Sequence, residues 1–427
     1  MGFWICSSFF HQYHICVPFL IIMMQRESID AANSSVSKLK SSYDFGKSFL
    51  GLDKCNACIG TSACKKLFKE EIRFQSWLAP HLRLPSADLQ SYAGNHSDDG
   101  ETWRHVEISR LSSKSQHDLA DKRICGTFTK KKLCSIERIL RKTERFQKWM
   151  TAKRLTPDLV QGLPVQFLRC PSQRLLDRII RRYTEVFDAG SVYMTHLTDR
   201  DKLRLLYTLS VNAHPIILQI FPGAEGWPFP KYLGSCGRLF VSTSTQPLIS
   251  YNNSAPEIAA DLVYQLLQTI HHLSNNDLNY FFYFTQIDGG TFGTFSDGLL
   301  FIRDTSNLGI IDLQNGKPGR DRNTEETDIF SCLSSDCPPR LSSCSDISER
   351  QNLILLCKNL LPYLISGKFP PSTQQEIDEF LGVCSHNLIT DLEARKISEK
   401  LLNILRPWRA CDPRFAYRYP ECQYSSY

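Results

Sequence analysis

Apolar residues recur at helical spacing in several stretches of this chain. Between residues 134 and 150, Ile136, Ile139, Leu140, Phe146 and Met150 fall near one face and predict an amphipathic helix. Ser172 can cap a second helix bearing Leu175, Leu176, Ile179, Ile180, Tyr183 and Phe187. Ser254-Ala-Pro-Glu257 fits a capping box and launches the clearest helix, with Ile258, Leu262, Leu266, Ile270 and Leu273 on one stripe. Two more are expected over residues 347–364 and 391–405. Strand-like stretches lie at residues 106–108, 216–218 and 238–241. Residues 291–295 and 299–302 flank Ser296-Asp-Gly298, and Asp-Gly between alternating apolar runs signals a hairpin.

The flanks read differently. Residues 15–24 (ICVPFLIIMM) form an apolar run of signal-peptide length, shorter than a membrane span. No Lys or Arg precedes it and no clean small-residue cleavage site follows. Residues 1–24 are therefore either a signal peptide or, with residues 3–10, an anchor. Gly2 does not open a myristoylation signal, because Cys6 stands where Ser or Thr is required. Residues 25–48 are rich in Ser and Lys and read as a linker. Residues 313–347 are polar and carry Cys332, Cys337 and Cys344, which suggests a stapled loop. No second apolar run of spanning length occurs.

The 427 residues are 42% hydrophobic and 11% aromatic, which argues for a folded chain with a large core or two lobes. The net charge of +6 is modest, and the basic residues are interleaved with acidic ones, as in Arg138-Ile-Leu-Arg141-Lys-Thr-Glu144-Arg145. Such runs are solvated helix faces, and no nucleic-acid partner is expected.

Sixteen cysteines change the picture more than charge does. Apart from Cys6 and Cys16, they are Cys55, Cys58, Cys64, Cys125, Cys134, Cys170, Cys236, Cys332, Cys337, Cys344, Cys357, Cys384, Cys411 and Cys422. That even number, widely scattered, suits disulfides in an oxidising compartment. Cys55-x-x-Cys58 has no second pair at zinc-binding spacing, so structural bridging within the amino-terminal region with Cys64 is expected. Three Asn-x-Ser/Thr sequons, at Asn33, Asn95 and Asn252, point to the same secretory lumen.

The long helix, the short loop, the hairpin and a following Asp form the arrangement that carries phosphoryl-transfer residues in protein kinases. Asp304 holds the end-of-hairpin place that grips Mg²⁺. Counting back about 13 residues reaches Thr291, where the Asn should stand, and the D-x-x-x-x-N spacing puts Gln286 at the base. An amide accepts no proton, and a lone hydroxyl is a poor metal ligand. Asp288, two residues from Gln286, is the fallback base, and Gly289-Gly290 reads as a tight turn. Asp304 itself can equally be a cap or turn residue. Neither a Gly-rich phosphate loop nor G-x-x-x-x-G-K occurs.

Longer stretches carry a resemblance. Asp53-Lys-Cys-Asn-Ala-Cys-Ile-Gly-Thr-Ser62, Arg169-Cys-Pro-Ser-Gln-Arg-Leu-Leu-Asp-Arg178, Phe221-Pro-Gly-Ala-Glu-Gly-Trp-Pro228, Lys231-Tyr-Leu-Gly-Ser-Cys-Gly237 and Asn275-Asn-Asp-Leu278 resemble the divergent protein kinase domain family. The resemblance spans about residues 45–425 and points to the second, deleted-in-autism-related subfamily, B-type branch. It implies an α+β, protein-kinase-like two-lobed fold, stapled by disulfides, with a Cys-rich amino-terminal region. Residues 49–242 would hold that region and the amino-terminal lobe, and residues 243–427 the carboxy-terminal lobe. It also places the strand-three Lys of V-A-I-K at Ser109, with Arg110 expected on the opposite face of the strand. The helix Glu that would pair with that Lys is Glu137, Glu144 or Glu185.

These residues imply a secreted pseudokinase that acts by binding a protein partner or receptor and needs no cofactor. The alternative is a divergent secretory-pathway kinase using Asp288 and Asp304 with ATP and Mg²⁺ or Mn²⁺. Hydrolase and redox classes lack support, since no G-x-S-x-G or H-E-x-x-H occurs.

Overall fold

Along residues Arg104–Arg110 of the third strand, burial alternates, and that alternation fixes what faces the cleft. Val106 and Ile108 are buried, whereas Glu107 and Ser109 are only half-buried on the other face. The computed structural model describes residues 60–75, 91–129, 134–183, 191–315, 344, 347–386 and 388–409. Of the residues singled out above, Asn33, Cys55, Cys58, Glu185, Cys332, Cys337, Cys411 and Cys422 lie outside the described residues.

Strands β1 (Ile72–Phe74), β2 (Ser91–His96), β3 (Arg104–Arg110), β4 (Tyr232–Cys236) and β5 (Leu239–Thr243) form an antiparallel sheet in the order β1-β2-β3-β5-β4. Helix α1 (Cys64–Phe68) covers one face, where Ala63 and Leu67 pack with Ile72, Phe74, Val106, Ile108 and Val241. The β4–β5 turn holds Gly237 at φ 62°, a left-handed conformation that glycine adopts without steric cost. The disulfide Cys64–Cys236 ties α1 to β4. Cys64 thus pairs 172 residues away and not with Cys55 or Cys58, because Gly60 and Ala63 bond to the β4–β5 hairpin.

Between β3 and β4 the chain runs through helices α2 (Lys114–Thr129), α3 (Ile136–Leu140), α4 (Glu144–Thr151), α5 (Pro157–Val160), α6 (Gln173–Arg182), α7 (Asp199–Val211) and α8 (His214–Ile220). Their apolar faces share one core with the helices that follow the sheet. Of these, α9 (Pro256–Ser274) lies at the centre of the second lobe and buries Leu262, Leu266, Ile270 and Leu273. Strand β7 (Tyr280–Phe284) is wholly buried and pairs with β10 (Leu308–Asp312). The hairpin β8 (Phe292–Thr294) and β9 (Leu300–Ile302) forms as expected, with β6 (Gln246–Pro247) at its edge. Helices α10 (Arg350–Asn359), α11 (Leu361–Ile365), α12 (Pro371–Cys384) and α13 (Asp391–Leu405) complete this lobe. The Asn352 side chain accepts from Phe284 N–H at 2.9 Å and donates to Phe282 C=O at 2.8 Å, locking α10 to β7.

Several sequence expectations need correction. Residues 216–218 are helical, in α8. Every residue of α8 is buried, so its apolar run carries no usable period, and Pro215 sits in its first turn. The helix expected over residues 134–150 is two helices, because Thr143 accepts from Phe146 N–H and caps α4. Residues 347–364 likewise divide at Leu360, ahead of Pro362. Ser254 forms no capping box. Helix α9 starts at Pro256, and Ser254 Oγ instead accepts from Lys368 Nζ at 3.2 Å. Ile258 is exposed, off the buried stripe. Besides Cys64–Cys236, disulfides join Cys125–Cys134, Cys170–Cys344 and Cys357–Cys384. No helix among the described residues is long and apolar enough to cross a membrane.

Candidate functional site

Strand β9 delivers Arg303 and Asp304 to the floor of a cleft roofed by β3. The Thr291 carbonyl accepts from both backbone N–H groups, Arg303 at 2.8 Å and Asp304 at 3.1 Å, so the segment after the hairpin is fixed against the loop before it. A cavity of about 440 Å³ lies between roof and floor. Ser109 lines it from above and Asp304 from below, with Glu107, Arg110, His214 and Arg303 around them. Two of the sequence-predicted positions, Ser109 and Asp304, therefore meet at one site.

The other three do not line it. Gln286 is exposed, and Thr291 is buried. Asp288 Oδ1 accepts from Gly290 N–H at 2.8 Å and from the Thr291 hydroxyl at 3.1 Å, while Thr291 Oγ1 accepts from Asp288 N–H at 2.9 Å. Asp288 and Thr291 thus close their own loop. A carboxylate held in that way loses its turn if it moves to take a proton. Asp304 Oδ1 accepts from Ser306 N–H at 2.9 Å and Ser306 Oγ at 2.7 Å, which makes a turn of the same kind.

Cations in the cavity are already engaged. Arg303 Nη2 donates to Glu107 Oε1 at 2.7 Å, bridging the floor to the roof. Arg110, expected on the opposite face from Ser109, has the alternate burial, yet its long side chain still lines the cavity. Its Nε donates to Tyr92 Oη at 3.2 Å.

The helix directly after β3 is α2, and it contains no Glu. Its Asp121 forms a buried bidentate pair with Arg238 at 2.8 and 2.7 Å. Glu137 of α3 pairs with Arg141, and Glu144 with Lys148 on α4, and neither Glu lines the cavity. Sequence reasoning missed Glu107, although it stands two residues before Ser109 on the same strand face, where V-A-I-K has Ala. It also missed Asp121, Arg238 and Arg303, whose partners lie more than a hundred residues away.

His214 Nδ1 lies 2.8 Å from Thr305 Oγ1. Burial pushes its pKa down to about 4. The Asp304 carboxylate opposes that shift and Arg303 adds to it. Between pH 4 and the ordinary value of 6.5 the unfolded chain binds a proton that the folded chain refuses, so stability falls as pH falls through this window. Denaturant titration at pH 7.5 and 5 should show a loss of about 2 kcal/mol from this group. His214→Gln should flatten that dependence; an unchanged slope would assign it to other groups.

The order of strands, the helix–loop–hairpin–Asp arrangement and the cleft define a protein-kinase-like domain. Residues 206–387 match the family model of the protein-kinase domain of FAM69. The chain is 64% identical over 392 residues to mouse divergent protein kinase domain 2B, covering 92% of this chain and 90% of the relative. The human 2B protein is 61% identical over 393 residues, covering 92% and 91%. Likeness to the 2A protein of Xenopus tropicalis is lower, 34% over 327 residues, covering 73% and 74%. This chain belongs to the divergent protein kinase domain 2 family, on the 2B side of it.

Proposed function

We propose that this chain is a secreted pseudokinase that works by binding a protein partner or receptor, without appreciable phosphoryl transfer. The observation that carries this reading is the state of the cleft. Ser109 supplies no charge where a phosphate-gripping Lys is needed, and Asp288, the fallback base, is spent on its own turn. Phosphoryl transfer depends almost wholly on positioned charge, so loss of Lys, base and second metal ligand together removes most of its stabilisation. Asp304 alone is one carboxylate, too few for a tight Mg²⁺ or Mn²⁺ site. The disulfides support passage through an oxidising compartment. Asn252 is exposed, and Asn95 lies half-buried in β2 between exposed Arg73 and His105, so both are offered as glycan acceptors, with Asn33 as the third sequon.

The test uses protein purified from the medium of secreting cells. ATP with Mg²⁺ or Mn²⁺ is expected to leave the melting temperature unchanged, since only a ligand bound to the native state raises it. Phosphate incorporation should match a no-enzyme blank. Activity lost in both Asp288→Ala and Asp304→Ala would establish a divergent kinase instead. Retention in the cytosol without endoglycosidase-sensitive mass would overturn the compartment.

A further inference from the structure

Glu107 changes the meaning of the empty Lys position. The stretch Val106-Glu-Ile-Ser109 falls on V-A-I-K, so a Glu replaces the small Ala two residues before the phosphate-gripping place. With a rise of about 3.3 Å per residue, the two side chains leave one strand face about 7 Å apart. A nucleotide whose phosphates reached Ser109 and Asp304 would have to lay its ribose and base alongside, in the space Glu107 enters. Glu107 does not stop at the roof. Its carboxylate crosses the cleft to Arg303, the residue immediately before Asp304, at 2.7 Å.

We propose that the Glu107–Arg303 ion pair is an autoinhibitory strut: it occupies the base-and-ribose part of the cleft and ties the sheet to the β8–β9 hairpin. Nucleotide exclusion is then imposed by this pair, over and above the missing Lys. Both side chains are partly sheltered, with exposures of 16% for Glu107 and 27% for Arg303, so water screens them less than a surface pair. Arg303 Nε is buried with no hydrogen-bond partner among the described residues, which leaves Glu107 as the contact that holds the guanidinium across the cavity. Removing Glu107 therefore does two things at once. It clears the space beside Ser109, and it leaves beside Asp304 a cation able to attract a triphosphate.

This inference rests on the pseudokinase reading and is tested so that the two can fail separately. A fluorescent ATP analogue is titrated with Mg²⁺ into the secreted full chain. Wild type and Ser109→Lys are expected to bind at background level. Glu107→Ala and Glu107→Ala/Ser109→Lys should bind at least about tenfold more tightly, since a charge left without its partner seeks another. The exchange Glu107→Arg/Arg303→Glu, which rebuilds the pair in reverse, should return binding to background. Glu107→Gln, nearly identical in shape, keeps the space filled and removes only the charge; should the alanine variant not be secreted it tests the ion pair by itself, and is expected to bind more tightly than wild type. Equal background binding by wild type and the Glu107 variants overturns the strut while the pseudokinase reading stands. So does Ser109→Lys alone binding as tightly as the double variant. Tight ATP binding with phosphate transfer by wild type overturns both.

Discussion

Arg238→Ala is expected to destabilise the protein by about 3–5 kcal/mol, because it strands a buried carboxylate. Arg238 is 5% exposed, and Asp121 is 7% exposed. Burial by itself would lower the Arg238 pKa, but its anionic surroundings, at neutral pH the paired Asp121 carboxylate, outweigh it and hold the guanidinium charged. The same guanidinium lies 5.7 Å from the Tyr207 ring centre, and Tyr207 Oη lies 3.1 Å from His117 Nδ1. Burial pushes the Tyr207 hydroxyl up to about 12, so it stays neutral. Urea denaturation should show the full loss in Arg238→Ala and a similar one in Asp121→Ala. Asp121→Leu/Arg238→Met should recover much of it, since replacing both partners of a buried pair by apolar groups is often nearly neutral. A double variant no better than the sum of the single ones would mean that the two residues do not act as a pair.

The pair has a functional consequence. In kinases the helix after strand three offers a Glu to the strand-three Lys. Here Asp121 of α2 is turned to the β4–β5 hairpin and held there, and Asp118, the other α2 carboxylate, pairs with Lys114 on the same helix. A Lys restored at position 109 would find both α2 carboxylates already paired, which is a second reason why Ser109→Lys alone should recover nothing.

How much of this was legible in the sequence follows from where each signal is stored. The β8–β9 hairpin, its Asp-Gly turn and Asp304 were readable because a turn is encoded within four residues. Helix α13 was readable because its buried residues recur at helical spacing. Helix α2 was not found, although it decides the site. Its buried face includes His117 and Asp121 beside Ile124 and Cys125, so the polar pattern hid a helix whose interior contacts are ionic and hydrogen-bonded. The same limit applies to Glu107 and Arg303, 196 residues apart. Each alone reads as a solvated charge, and only the folded cleft makes them a pair.

The cysteines show that limit in covalent form, and they carry the second large effect. Cys64→Ser/Cys236→Ser should cost about 3–5 kcal/mol, since the bridge closes a long loop and most of its stabilisation comes from restricting the unfolded chain. That loop spans 172 residues and contains β1 to β3 as well as α2 to α8. The small sheet has its own modest core, in which Cys236 is wholly buried against Ala63 and Leu67, so little else compensates for a lost bridge. The first consequence is expected in yield. Secreting cells should retain the variant and release less of it, because a weakened fold is triaged before export. For the fraction released, the denaturation midpoint should fall and the slope should rise, because the unfolded chain freed of the bridge exposes more surface. By contrast, Cys125→Ser/Cys134→Ser opens a loop of only 9 residues and should cost clearly less. Equal losses from the two variants would show that local packing, and not loop closure, sets the contribution of these bridges.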